Sequence, residues 1–151
     1  MTLLSLSERL DALLSEPLDA MRERQANTLE QLIGSLDQPI VLFGASHLGR
    51  KAQAVLTAMG RAPCAFMDNN PALWGSCIDS VPVFSPAQFV EQWSGELPAV
   101  ICTIWSGHIH DGMASRLQPL QAWGFQRIAL FGHLAWRYPQ LVERLPQANV
   151  F

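Results

Sequence analysis

The feature that most constrains this chain begins at Pro39, where short unbroken apolar runs start to alternate with stretches of helical spacing. Ile40-Val41-Leu42-Phe43 has no polar member and stops at Gly44, the pattern of a strand covered on both faces. Leu48, Ala52, Val55, Leu56 and Met59 then share one helical stripe, which Gly60 ends. Cys64-Ala65-Phe66-Met67 is a second strand ending at Asp68, and Val81-Pro82-Val83-Phe84 a third, whose proline predicts an edge position. Ser85-Pro86 caps a helix carrying Phe89, Val90 and Trp93. Ala99 to Ile104 is the fourth strand and Arg127 to Phe131 the fifth. Between them a helix bears Met113, Leu117, Leu120 and Trp123, is expected to bend at Pro119 and closes at Gly124. Strands alternating with helices at this rhythm imply right-handed crossovers and a parallel sheet. The expectation is an α/β fold: a Rossmann-like, doubly wound sheet of five parallel strands, order 3-2-1-4-5, with helices on both faces.

Ahead of the alternation, residues 1–36 read as a helical arm. Leu6, Leu10, Leu13 and Leu14 fall on one face, and Leu18, Met21, Gln25, Leu29, Leu32 and Leu36 continue at three- and four-residue steps. Ser5 with Glu8 has capping-box spacing, and Ser15 with Pro17 restarts the helix after a break. Such an arm either packs on the domain behind it or meets a partner. Residues 37–151 are expected to form the Rossmann-like domain, and its tail from His133 holds Trp136, Tyr138, Leu141, Val142 and Leu145, enough for a packed terminal helix.

Composition narrows the function. A chain of 151 residues with 49% hydrophobic and 15% charged residues suits one well-packed domain. A formal charge of −3 and a single lysine, Lys51, argue against a nucleic-acid surface. No run approaches the roughly 20 apolar residues of a membrane span, and the N-terminus lacks a signal-like core. Three scattered cysteines, Cys64, Cys77 and Cys102, favour reduced thiols and a cytoplasmic protein.

The candidate ligand site is Gly44-Ala45-Ser46-His47-Leu48-Gly49, between the first strand and its helix. There a tight turn aims free N–H groups and the helix dipole at an anion. Gly44 permits the turn and Gly49 permits close packing of helix on strand, while Ser46 stands where a middle glycine would admit a pyrophosphate. Asp68, 24 residues after Gly44, sits where an acid accepts hydrogen bonds from ribose hydroxyls, with Asn69 beside it. The alternative is structural: glycines that only allow packing, and an Asx turn at Asp68-Asn69-Asn70-Pro71. Trp105, directly after the fourth strand, is placed to offer a ring face to the ligand.

His108-Ile109-His110-Asp111 lies on the same edge but lacks a third metal ligand, so no metal site is assigned, and Asp111 serves equally as a helix cap. His133 has no sequence neighbour that argues for a role. Tyr138 is the only tyrosine and is followed four residues later by Val142, so the Tyr-x-x-x-Lys pair of sugar oxidoreductases is missing. No Gly-x-Ser-x-Gly elbow and no Walker-type lysine is present. The binding half of an enzyme is legible and the reacting half is not. The chain alone therefore reads as a binding domain rather than a catalyst, with NAD(P) or a nucleotide-sugar as the candidate ligands.

Several of these segments together resemble one family. Ile40 to Arg50, Ala65-Phe66-Met67-Asp68-Asn69-Asn70-Pro71-Ala72-Leu73-Trp74-Gly75, Val81 to Pro86, Thr103-Ile104-Trp105 and the stretch Phe131 to Pro139 look like the domain that precedes the catalytic domain in FkbM-type methyltransferases. The resemblance runs from about residue 38 onward, and the Asp-Asn-Asn-Pro-x-Leu-Trp-Gly segment is its most specific part. It departs from the family turn at Ser46 and His47. It implies a Rossmann-like accessory domain beside an S-adenosylmethionine-dependent methyltransferase domain or subunit, whose active-site positions this chain does not carry. Two alternatives are a dimerisation scaffold with a vestigial site, driven by the arm and the Trp-rich tail, and an NAD(P)-dependent sugar oxidoreductase.

Overall fold

The computed structural model describes residues 3–104 and 113–144. Helices α1 (Leu6–Leu14) and α2 (Leu18–Ile33) precede the sheet. Then follow β1 (Ile40–Phe43), α3 (His47–Ala58), β2 (Ala65–Met67), a 3-10 turn at Pro71–Leu73, β3 (Cys77–Ile78), β4 (Val81–Phe84) and α4 (Pro86–Gln92). The remainder is β5 (Ala99–Cys102), α5 (Met113–Ala122), β6 (Ile128–Leu130), α6 (Phe131–Arg137) and α7 (Pro139–Arg144).

The sheet has six strands in the order β3-β4-β2-β1-β5-β6. All neighbouring pairs are parallel except β3 with β4, which is antiparallel. The expectation of five parallel strands is thus corrected to a mixed sheet of six, and its order extended by the added strand. The expected edge position of Val81–Phe84 is corrected as well, because β3 covers that strand. Cys77-Ile78 is too short to show any period, and the turn beyond it carries no glycine. Asp79 (φ 46°) and Ser80 (φ 69°) adopt the two left-handed conformations of a primed hairpin turn themselves. Pro82 sits opposite Cys77, and the ladder runs through its neighbour: Val83 N–H donates to Ser76 O at 2.9 Å and Gly75 N–H to Val83 O at 3.0 Å.

Strand β1 is central, its Val41 level with Ala65 of β2 and Val100 of β5. Because side chains alternate across a strand, its apolar run divides between two cores. Ile40 and Leu42 join Phe66, Ile101, Val55 and Leu56 of α3, and Leu134 of α6 on one face. Val41 and Phe43 join Met67, Val100, Phe89, Leu120 and Phe125 on the other. Burial on both faces is why these strands show no polar alternation.

The two halves of the helical arm differ. The capping box of α1 forms as spaced, Glu8 N–H donating to Ser5 Oγ at 3.2 Å and Ser5 N–H to Glu8 Oε2 at 2.8 Å. Yet α1 buries none of its residues. The last turns of α2 bury Leu29 and Ile33 in the sheet's own core, against α6 and β6. Arg137 Nε, on α6, donates to Glu30 Oε1 at 3.0 Å and ties the two helices. The tail forms two short helices rather than one, since Pro139 has no N–H with which to continue α6. Phe131, Leu134 and Val142 are its buried residues, and Leu145 lies outside the described residues. Pro119 lies within α5. No helix among the described residues is long and apolar enough to cross a membrane.

Candidate functional site

The glycine turn lies at the carboxyl end of β1, beside the point where the chain passes from the β2 side of the sheet to β5. In open α/β sheets this switch point leaves a crevice for ligands. Gly44 has φ +119°, and a Cβ there would lie 2.8 Å from Thr103 Oγ1 and 2.9 Å from Ile104 Cγ1. A Cβ on Gly49 would overlap the Gly44 carbonyl oxygen. Both glycines are therefore required by space, and Gly49 brings the first turn of α3 directly against the strand end. Thr103, buried at the end of β5, locks the arrangement: its hydroxyl lies 2.7 Å from Gly44 O and 3.0 Å from Phe43 O.

Asp68 braces the same turn from the other side. Its Oδ2 accepts the Ala45 N–H at 2.8 Å and its Oδ1 the Asn70 N–H at 2.8 Å. The Asx turn foreseen as the structural alternative is thus present. Asn70 Oδ1 in turn accepts the Ala72 N–H at 3.1 Å, and Trp74 Nε1 donates to Asp68 O at 2.6 Å. The Ala45 amide, expected to face a phosphate, is already paired. Each carboxylate oxygen retains a second lone pair. Asn69 is exposed beside it.

What remains for an anion is the start of α3. Ser46 is its N-cap with no side-chain cap hydrogen bond, and no acid occupies the first turn. The first helical bond back to the cap is Arg50 N–H to Ser46 O at 2.9 Å, so the amides ahead of it project from the helix end. Ser46 and His47 are exposed, Leu48 is half-buried, Ala45 and Gly49 are buried. Trp105, like His108, His110 and Asp111, lies outside the described residues. Among the described residues no three His, Cys, Asp or Glu side chains come together to hold a metal.

Three further residues reach this edge without having been assigned a role from sequence. Thr103 is one; the signal for this bracing role was a hydroxyl at the end of an otherwise apolar strand. Arg116 of α5 has a buried Nε with no hydrogen-bond partner, and its charge reaches Cys102 at the end of β5. Burial nevertheless dominates at Cys102 and pushes its thiol up, so it is no ready thiolate nucleophile. His133 is the third. It stands in the first turn of α6, where its Nδ1 accepts the Leu130 N–H at 3.0 Å and its ring meets Trp136 edge-on at 5.5 Å. Burial holds its pKa below the ordinary histidine value. Its three-residue step back to Leu130 is a capping distance, but histidine is a rare occupant of that role.

No protein-family model matches this chain, and no curated protein matches it. Among solved structures it is similar to a crystal structure of RSP, a Rex-family repressor, at 17% sequence identity and a TM-score of 0.46. The likeness covers 72% of this chain and 58% of that one, so this chain spans a little over half of its length.

Proposed function

We propose that this chain is a Rossmann-like binding domain that takes a nucleotide or nucleotide-sugar at the glycine turn, as an accessory to an FkbM-type methyltransferase. The observation that carries the binding half is the uncapped start of α3, which Gly44 and Gly49 hold against the sheet's switch point without an acid in its first turn. The ligand's phosphate lies over the amides of Ser46 to Gly49, and a ribose hydroxyl reaches the spare lone pairs of Asp68. The accessory half rests on the Asp68-to-Gly75 segment, whose turn and Trp74 anchor brace that same site.

Thermal unfolding against NAD⁺, NADP⁺, S-adenosylmethionine, ATP and UDP- and GDP-sugars tests the binding half. A ligand at about 100 times its Kd adds roughly 2.7 kcal/mol and raises the midpoint by several degrees. His47→Glu is the informative variant, since His47 is exposed in the first turn of α3. A carboxylate there stabilises the helix by about 0.3–1 kcal/mol while repelling phosphate, so the midpoint rises as the ligand shift disappears. A flat panel would favour a second reading, a scaffold. That reading is motivated by the leucines that α1 leaves exposed, Leu6 at 82% and Leu14 at 76%.

A further inference from the structure

Helix α1 is nine residues long and buries none of them. A helix of that length is marginal in water on its own, because too few hydrogen bonds offset its nucleation. Yet the chain fixes both of its ends. The Ser5–Glu8 capping box starts it, and Ser15 closes it, its hydroxyl donating to Asp11 O at 2.7 Å. Just beyond, Arg24 of α2 holds Glu16 through two nitrogens, Nη2 to Oε2 at 2.8 Å and Nε to Oε1 at 3.1 Å, which ties the elbow between the helices. Local structure therefore holds out a helix whose apolar side the chain itself leaves open.

That side has the extent of an interface. Leu6, Leu10, Leu13 and Leu14 form a stripe as wide as the one a surface helix turns toward a core. With Leu3 and Leu4 ahead of it and Leu18 past the elbow, seven leucines are each more than half exposed. At about 80 Å² from each they offer on the order of 500–600 Å² of apolar surface, the upper end of what a monomer exposes in one patch. Two such faces would bury about 1,000–1,200 Å² between them, which reaches the lower limit of a specific interface. A groove of about 590 Å³, with Leu4, Leu13 and Pro17 in its wall, borders the stripe and gives it the relief in which leucines of a second helix can seat.

Charge selects the occupant. Glu8, Asp11 and Glu16 outnumber Arg9 around the stripe, the reverse of the basic polar face with which helices lie on anionic lipid. No position of the stripe carries a charge, so two copies can close face to face without burying one. A twofold pairing needs only this one patch, used twice. We propose that α1 is a homodimerisation helix: two copies of this chain pair through Leu6, Leu10, Leu13 and Leu14, each covering the other's stripe. The pairing is weak and concentration-dependent, because the area lies near the lower limit for a specific interface. It is independent of the glycine-turn reading, and its test uses no nucleotide.

Sedimentation equilibrium of the full chain, from about 1 µM to about 1 mM, spans the range in which so small an interface dissociates. The weight-average mass should climb from 16.7 kDa toward twice that value. Amide NMR shifts that follow concentration should gather in residues 3–18. Leu6→Gln combined with Leu13→Gln removes the apolar seam while keeping a helix propensity close to that of leucine. Neither position is buried, so the thermal midpoint at low concentration should stay put while self-association weakens by about tenfold or more. Leu6→Met combined with Leu13→Met keeps the stripe apolar and should pair to within about threefold of the parent. A chain that stays monomeric at about 1 mM would overturn the proposal. So would a dimer that the glutamine pair leaves intact, or one whose shifts fall outside residues 3–18. Flotation of a strictly monomeric chain with phosphatidylcholine or phosphatidylserine vesicles would overturn it in favour of a lipid surface.

Discussion

Helices α3 and α1 are both amphipathic segments with a clear stripe, and they meet opposite fates. The stripe of α3 places Ala52, Val55 and Leu56 wholly inside the core. The stripe of α1 leaves Leu6, Leu10, Leu13 and Leu14 in solvent, each more than half exposed. Periodicity states which residues share a face and is silent on what covers that face. For α3 the cover is guaranteed by connection, since a helix between two parallel strands must lie on the sheet. For α1 nothing in the connection requires it. The boundary between the two regimes falls inside α2, whose Leu18 is 56% exposed and whose Leu29 is fully buried.

The comparison breaks most sharply at Gly49. Gly49→Ala sets a Cβ into the Gly44 carbonyl, a backbone atom that cannot rotate away. We expect a loss of about 3 kcal/mol or more, enough to deprive a marginal domain of its cooperative transition. Chemical denaturation read by circular dichroism checks this. A variant that unfolds like the parent would mean that α3 can slide off the turn, and that the turn is no rigid site.

Next in size is a pair within the arm. Leu29→Ala removes a fully buried side chain from the main core and should cost about 2–5 kcal/mol. Leu10→Ala, at a position 55% exposed, should change the stability of the isolated chain by no more than about 0.5 kcal/mol. Should Leu10→Ala cost as much as Leu29→Ala, and only at high protein concentration, α1 is covered by another molecule in solution. Sedimentation of the two variants separates the cases.

These contrasts also mark what could be read from residues alone. The apolar runs of β1, β2 and β5 were legible because strands buried on both faces leave no polar member to confuse the period. Strand β3 was not, because two residues carry no period and its turn breaks the usual glycine preference. At the site, Gly44, Gly49 and Asp68 were found by type and spacing, since backbone geometry permits few residues at such points. The Asx turn from Asp68 to Asn70 was foreseen, but spacing could not reveal that the other oxygen of Asp68 is spent on Ala45, because a carboxylate's direction is a property of the folded loop. His133 and Arg116 were invisible for a related reason. Arg116 belongs to no motif, His133 lies in a family-like stretch that gives it no role of its own, and each matters only through what the sheet edge brings beside it.

A smaller, stabilising effect sharpens the same lesson at the unread hairpin. Ser80 holds φ +69°, a conformation glycine adopts without steric penalty. Ser80→Gly should relieve that strain and raise stability by about 0.5–1 kcal/mol after the loss of unfolded-state entropy is set against it. A thermal midpoint that falls instead would show that the β3–β4 turn is held by contacts of the serine side chain.

The smallest expected effect is a pH dependence at His133, on the helix that clamps the anchored half of the arm to the sheet. Burial lowers its pKa in the folded chain relative to an unfolded value near 6.5. As pH falls through 6.5 the unfolded chain takes up the proton first, so unfolding is favoured and stability declines. The decline ends below the folded pKa, where both states are protonated, and above 6.5 the group contributes no slope. Protonation in the folded state also removes the Nδ1 acceptor from the Leu130 N–H. Other groups titrate in the same range, so the quantity to measure is a difference: the midpoint of the parent minus that of His133→Phe, followed from pH 8 downward. That difference should fall on acidification, because only the parent has an imidazole to protonate. A difference that is flat, or that grows on acidification, would place the imidazole in water and leave the start of α6 without its Leu130 N–H contact.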